Sequence, residues 1–147
     1  MAIKVDIQFG QLFEIEMNGW CYGLQRYEGE IFPGLIHSII RELVPSFHAA
    51  IRHNYAFNIL ELSQKVSKAA KYLISEKEVC FAILAFFPNP ADLNEEQQFT
   101  MAQIIDQVEQ QHGGALQRLQ AKWQRESGRK KNSAPQAASG PGGQEAA

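Results

Sequence analysis

The chain carries only two cysteines among its 147 residues, Cys21 and Cys80, and they form no CxxC pair. That excludes the disulfide framework on which small secreted domains rely. Two reduced thiols, at least one of them in the core, are expected instead. Long apolar runs are missing as well. The longest, residues 79–87, reads VCFAILAFF, and at helical rise it crosses less than half of a ~30 Å hydrocarbon core. No membrane span is expected. The opening residues MAIKVDIQF interrupt every apolar stretch with Lys4 or Asp6, unlike the basic start and unbroken apolar centre of a secretory signal. A cytoplasmic protein is the expectation. Net charge is small, −2, which argues against a global polycation built to hold nucleic acid.

Catalytic patterns are equally scarce. There is no GxSxG, no GxxxxGK[ST], no GxGxxG, no HExxH and no acidic calcium loop. His48 and His53 are five positions apart, which on one helix turns them roughly 140° from each other, where a metal face needs three or four positions. Spacing gives no support to a zinc site built from Cys21, Cys80 and two of the histidines His37, His48, His53 and His112. Gly113-Gly114 follows a helical pattern and reads as a stop, not a phosphate cradle. Glu14 and Glu16 imitate a carboxylate dyad but read better as a solvated strand face. The chain is therefore expected not to be an enzyme, with no metal and no cofactor implied.

What is present is an average globular composition, 45% hydrophobic and 20% charged. Ile3, Val5, Ile7 and Phe9 alternate with polar residues, and Phe13, Ile15 and Met17 alternate with Glu14 and Glu16. Period two predicts a β-hairpin, and Asn18-Gly19 is a strong turn signal before a possible third strand through Tyr27. From residue 33 the apolar period becomes 3.6 and predicts a compact body of about five helices over residues 33–123. Pro33 and Pro45 punctuate the first of them, and Ser46 offers an N-cap to the next. Ser75 with Glu78, and Asp92 with Glu95, have capping-box form. Residues 79–87, apolar nearly all round, are expected to form the central helix. The fold class expected is thus mainly α with a small N-terminal antiparallel β-hairpin, an α+β domain spanning residues 1–125. Residues 126–147 hold no aromatic and no branched aliphatic side chain and read as a disordered polar tail.

Function is then sought in surfaces. Residues 20–32 crowd large amphipathic side chains between glycines, and Trp, Tyr and Arg are the types that anchor interfaces. Trp20, Tyr22, Arg26, Tyr27 and Phe32 are the candidate partner-binding residues, with Trp123 as a second anchor. Residues 97–124 hold nine glutamines, a long uncharged polar face suited to packing on a partner or on a second copy of the chain. Charge is uneven: residues 1–116 sum to −6 and residues 117–147 to +4. The basic arm consists of Arg118, Lys122, Arg125, Arg129, Lys130 and Lys131. The expected function is a non-catalytic protein–protein interaction module, such as an adaptor, assembly chaperone or inhibitor-like protein, with homo-oligomerisation open. Association with nucleic acid through the basic arm is the less favoured alternative, since no base-reading fold accompanies it. A third is a small-ligand sensor with its pocket between the hairpin and the helix over residues 79–87.

Overall fold

The computed structural model describes residues 5–132, and the chain divides into two compact units, Met1–Ala115 and Leu116–Ala147. Within the described residues the first unit holds α1 (Ile7–Gln25), α2 (Pro33–Glu42), α3 (Val44–Arg52), α4 (Ile59–Ala69), α5 (Glu76–Leu84), a 3₁₀ turn (Pro90–Asp92) and α6 (Glu95–Gln111). The helix α7 (Ala115–Asn132), from Leu116 onward, makes up the described part of the second. Seven α-helices and no strand occur among the described residues, in place of a hairpin and about five helices. Residues expected to be tail are helical from 126 as far as Asn132, and residues 133–147 lie outside the described range.

The N-terminal hairpin is the main correction. Asp6 caps α1 by accepting the Phe9 backbone N–H at 2.9 Å, which satisfies one of the four orphan donors of a helix start. Gly10, Phe13, Met17, Cys21 and Leu24 are then buried along one face, at the spacings of three and four that a helix requires. The turn expected at Asn18-Gly19 is absorbed into the helix, with both residues exposed. Tertiary burial of one complete helical stripe outweighs both the alternation and the local turn propensity.

Packing centres on α4, which contacts α1, α5 and α6, while α3 contacts α1, α2 and α6. The central place expected for residues 79–87 thus belongs to α4. Its inward face carries small residues, Ser63, Ser67 and Ala69, beside Ile59, Leu62 and Val66. Both serines are buried with partners. Ser67 Oγ donates to the Ile74 carbonyl at 2.7 Å, and Ser63 Oγ accepts from the Cys80 thiol at 3.2 Å. Beside this layer lies an aromatic cluster. The Phe57 ring stands 5.0 Å from that of Phe13, 5.6 Å from Phe47 and 6.4 Å from Phe87.

Caps follow the sequence in part. The capping box of Ser75 with Glu78 forms as expected. The second box is made by Asn94 with Gln97, not by Asp92 with Glu95, because the 3₁₀ turn takes up Asp92. Ser46 lies inside α3 and donates its hydroxyl to Glu16.

Gly10 permits a close approach between α1 and the Tyr55 ring. A Cβ built there would stand 2.7 Å from the Tyr55 ring, and that ring is held by a 2.6 Å hydrogen bond from its hydroxyl to Glu14. Gly10→Ala forces ring or helix to move and is expected to destabilise the protein by about 1–3 kcal/mol, read from urea denaturation midpoints. Asp6 supplies a pH dependence. Its bond to the Phe9 N–H, and then its contact with His53, hold its carboxyl below the ordinary aspartate value. A depressed carboxyl contributes stability above its unfolded pKa and loses it as pH falls through the folded one. Between about pH 5 and about pH 3 the wild type is therefore expected to lose more stability than Asp6→Asn, a comparison that urea titrations at each pH provide.

Candidate partner-binding surface

Helix α1 carries a second apolar face. Leu12, Ile15 and Tyr22 are 60%, 67% and 60% exposed, and with Gly19 between them they recur at spacings of three, four and three. At about 100° per residue these positions lie on the side of α1 away from Phe13, Met17 and Leu24. Gly19 and Gly23 share this outer side, and a Cβ at either would meet nothing within 4 Å. Glycine in a helix interior costs roughly 0.5–1 kcal/mol relative to alanine, and here no contact among the described residues requires it. Large apolar side chains with glycines among them form a smooth, close-approach surface.

The residues named from sequence are distributed around this face unevenly. Tyr22 lies on it, with the Arg26 guanidinium 5.4 Å from the centre of its ring. Trp20 is two positions away, roughly 160° round the helix, and is half-buried. Tyr27 and Phe32, each 49% exposed, lie in the loop that leads into α2, where Phe32 holds the N-cap position without a side-chain cap. Leu12, Gly19 and Gly23 escape a period-two reading, which sets Ile15 on one face with Phe13 and Met17, although the three-four spacing is visible once α1 is read as a helix. A groove beside Tyr22 is lined by Asn18, Cys21 and Gln25 of α1 and by Lys65, Lys68 and Ala69 of α4. Lys65 is engaged at its rim by Asn18 at 3.0 Å and by Glu61 at 3.9 Å. The cleft under α1 lined by Phe13, Met17, Phe57 and Leu62 has a volume of about 10 Å³, room for a single water at most. A ligand pocket roofed by the hairpin loses that wall with the hairpin itself.

On the second unit, α7 places Arg118, Lys122 and Arg125 along one face at spacings of four and three, and Leu116, Leu119 and Trp123 along another. Lys122 lies 3.9 Å from Glu126, one turn on. Trp123 is half-buried, its indole N–H enclosed and without an acceptor among the described residues. The backbone of Arg129, Lys130 and Lys131 continues the same helix.

Titratable groups offer little chemistry. Glu14 accepts the Tyr55 hydroxyl, while Glu16 accepts from Ser46, so the dyad suggested by a shared strand face is parted by the helix. Burial, with help from Glu14, pushes the Tyr55 phenol up. Burial also raises both thiols, Cys21 to about 11, so neither is a thiolate nucleophile at neutral pH. Of the histidines, His48 bonds the Phe86 carbonyl and His53 lies 2.9 Å from Asp6 with its ring stacked on Phe9. His112 lies with Glu76 and Cys80, one donor atom of each within 4.8 Å of the others. No helix among the described residues is long and apolar enough to cross a membrane. No protein-family model, curated protein or solved structure matches the chain.

Proposed function

We propose that this chain is a non-catalytic cytoplasmic protein–protein interaction module whose docking surface is the outer face of α1. The carrying observation is that Leu12, Ile15 and Tyr22 are exposed in helical register around two glycines that no contact among the described residues explains. Such a face suits an amphipathic helix laid along it, with apolar anchors between the ridges and the partner backbone close over Gly19. Two free buried thiols suit a reducing compartment. The partner is another protein, and a second copy of this chain packing α1 against α1 is the homo-oligomeric form of the same contact.

Leu12→Glu combined with Ile15→Glu changes only exposed positions and is expected to shift stability by no more than about 0.5 kcal/mol per site. It is nevertheless expected to remove the proteins that co-purify with the wild type, and to abolish any concentration-dependent association in sedimentation. Gly19→Ala sharpens the test. It is expected to raise thermal stability, by about 0.5–1 kcal/mol, while weakening partner binding. Partner sets identical between wild type and both variants, together with unchanged sedimentation, overturn the proposal.

The stripe of Arg118, Lys122 and Arg125 on one face of α7 favours the nucleic-acid alternative as a second reading. Under it, replacing all three by Gln is expected to flatten the salt dependence of binding to duplex or single-stranded oligonucleotides. Fluorescence anisotropy that shows no such binding in the wild type at low salt removes that reading.

A further inference from the structure

We propose that Glu76, Cys80 and His112 form a binding site for one zinc ion. Helix α5 sets Glu76 and Cys80 four positions apart, on one face and one turn from each other. His112 is the C-cap of α6, where an extended backbone conformation ends the helix. A carboxylate oxygen, the Cys80 Sγ and an imidazole nitrogen therefore meet within 4.8 Å of one another. Glu76 Oε2 and His112 Nε2 are 3.5 Å apart. A tetrahedral zinc with bonds of about 2.0–2.1 Å to oxygen and nitrogen holds such a pair roughly 3.3 Å apart.

A second observation points the same way. Glu76 Oε2 and His112 Nε2 are both enclosed, and neither makes a hydrogen bond among the described residues. Enclosed polar atoms without hydrogen bonds are rare in folded proteins, and one explanation is an ion between them. The third donor is held in place as well, since the Cys80 sulfur is fixed by the Ser63 hydroxyl at 3.2 Å. On binding, the sulfur–zinc bond replaces the sulfur–hydrogen bond and the thiol proton leaves to solvent. The Ser63 hydroxyl is then free to turn and donate to the thiolate, as groups around metal ligands commonly do.

The donor set selects the metal. Sulfur and imidazole nitrogen with one carboxylate suit zinc and disfavour magnesium and calcium, which take oxygen ligands. Three protein donors leave a fourth position to water. The rival account of the same atoms is a simple ion pair between protonated His112 and Glu76, which involves neither sulfur nor metal.

The test uses the full-length protein, stripped with a chelator and titrated with Co²⁺ as a spectroscopic probe, then with Zn²⁺. The expected result is one equivalent of Co²⁺ with a thiolate-to-cobalt charge-transfer band and the intense visible bands of tetrahedral coordination. Zinc is expected to displace it and to raise the melting temperature. Cys80→Ser is expected to remove the charge-transfer band, whereas Cys21→Ser leaves it unchanged. His112→Gln and Glu76→Gln, at part-exposed residues, are each expected to weaken cobalt binding by at least about tenfold. They carry the test if Cys80→Ser does not fold. A folded wild type without the band overturns the site and leaves the ion pair. So does a band lost with Cys21 instead of Cys80, or an unchanged cobalt affinity in both His112→Gln and Glu76→Gln.

Discussion

The ring of Phe57 is the contact on which the first unit depends. It touches Phe13 of α1, Phe47 of α3 and Phe87 beyond the end of α5, so one side chain joins three segments widely spaced in sequence. All four phenylalanines are buried, and rings packed in stacked, tilted and edge-on arrangements contribute beyond the area they bury. The cluster also dictates what α1 has to be. Only a helix can present Phe13, Met17, Cys21 and Leu24 together to the cluster and to α4 while Gly10 lets the Tyr55 ring lie against the backbone. The start of α1 is fixed to the same neighbourhood, because its cap residue Asp6 reaches His53 at the C-terminal end of α3.

Burying that face leaves the other one in water, and this explains why the N-terminal segment reads as a strand pair. Alternation arises where a helix has apolar residues on two sides. Phe13 and Met17 belong to the buried side, Ile15 to the exposed side, and together they imitate period two. A helix with a single apolar stripe would have left Ile15 polar and the 3.6 period unmistakable. The misleading pattern and the candidate docking surface are thus one property of the sequence. Asn18-Gly19 adds to the effect, since a turn dipeptide exposed mid-helix is there against local propensity.

Elsewhere legibility follows how local each signal is. The Ser75–Glu78 capping box spans three positions and could be read directly, and the helices from residue 33 onward announce themselves by period. The residue types of the aromatic segment were legible, but their facing was not. Trp20 and Tyr22 part company as soon as α1 winds. The cluster of Glu76, Cys80 and His112 was out of reach for the opposite reason. Glu76 and Cys80 are one helical turn apart, whereas His112 arrives from the far end of α6, and no spacing rule links it to them. That juxtaposition exists only because α5 and α6 both lie against α4.

The proposed docking face and the proposed zinc site both rest on helices that pack against α4. A docking face works when its anchors are already held in place, since ordering them on binding subtracts from affinity. The anchors on α1 are held from behind by α4, and α4 is in turn held by α5 and α6. An ion shared between the first turn of α5 and the end of α6 would fasten those two helices where two enclosed polar atoms make no hydrogen bond among the described residues. Enclosed atoms of that kind weaken the packing around them when nothing lies between them, and fasten it when a cation does. Through α4, an ion bound there would bear on the α1 face without touching it.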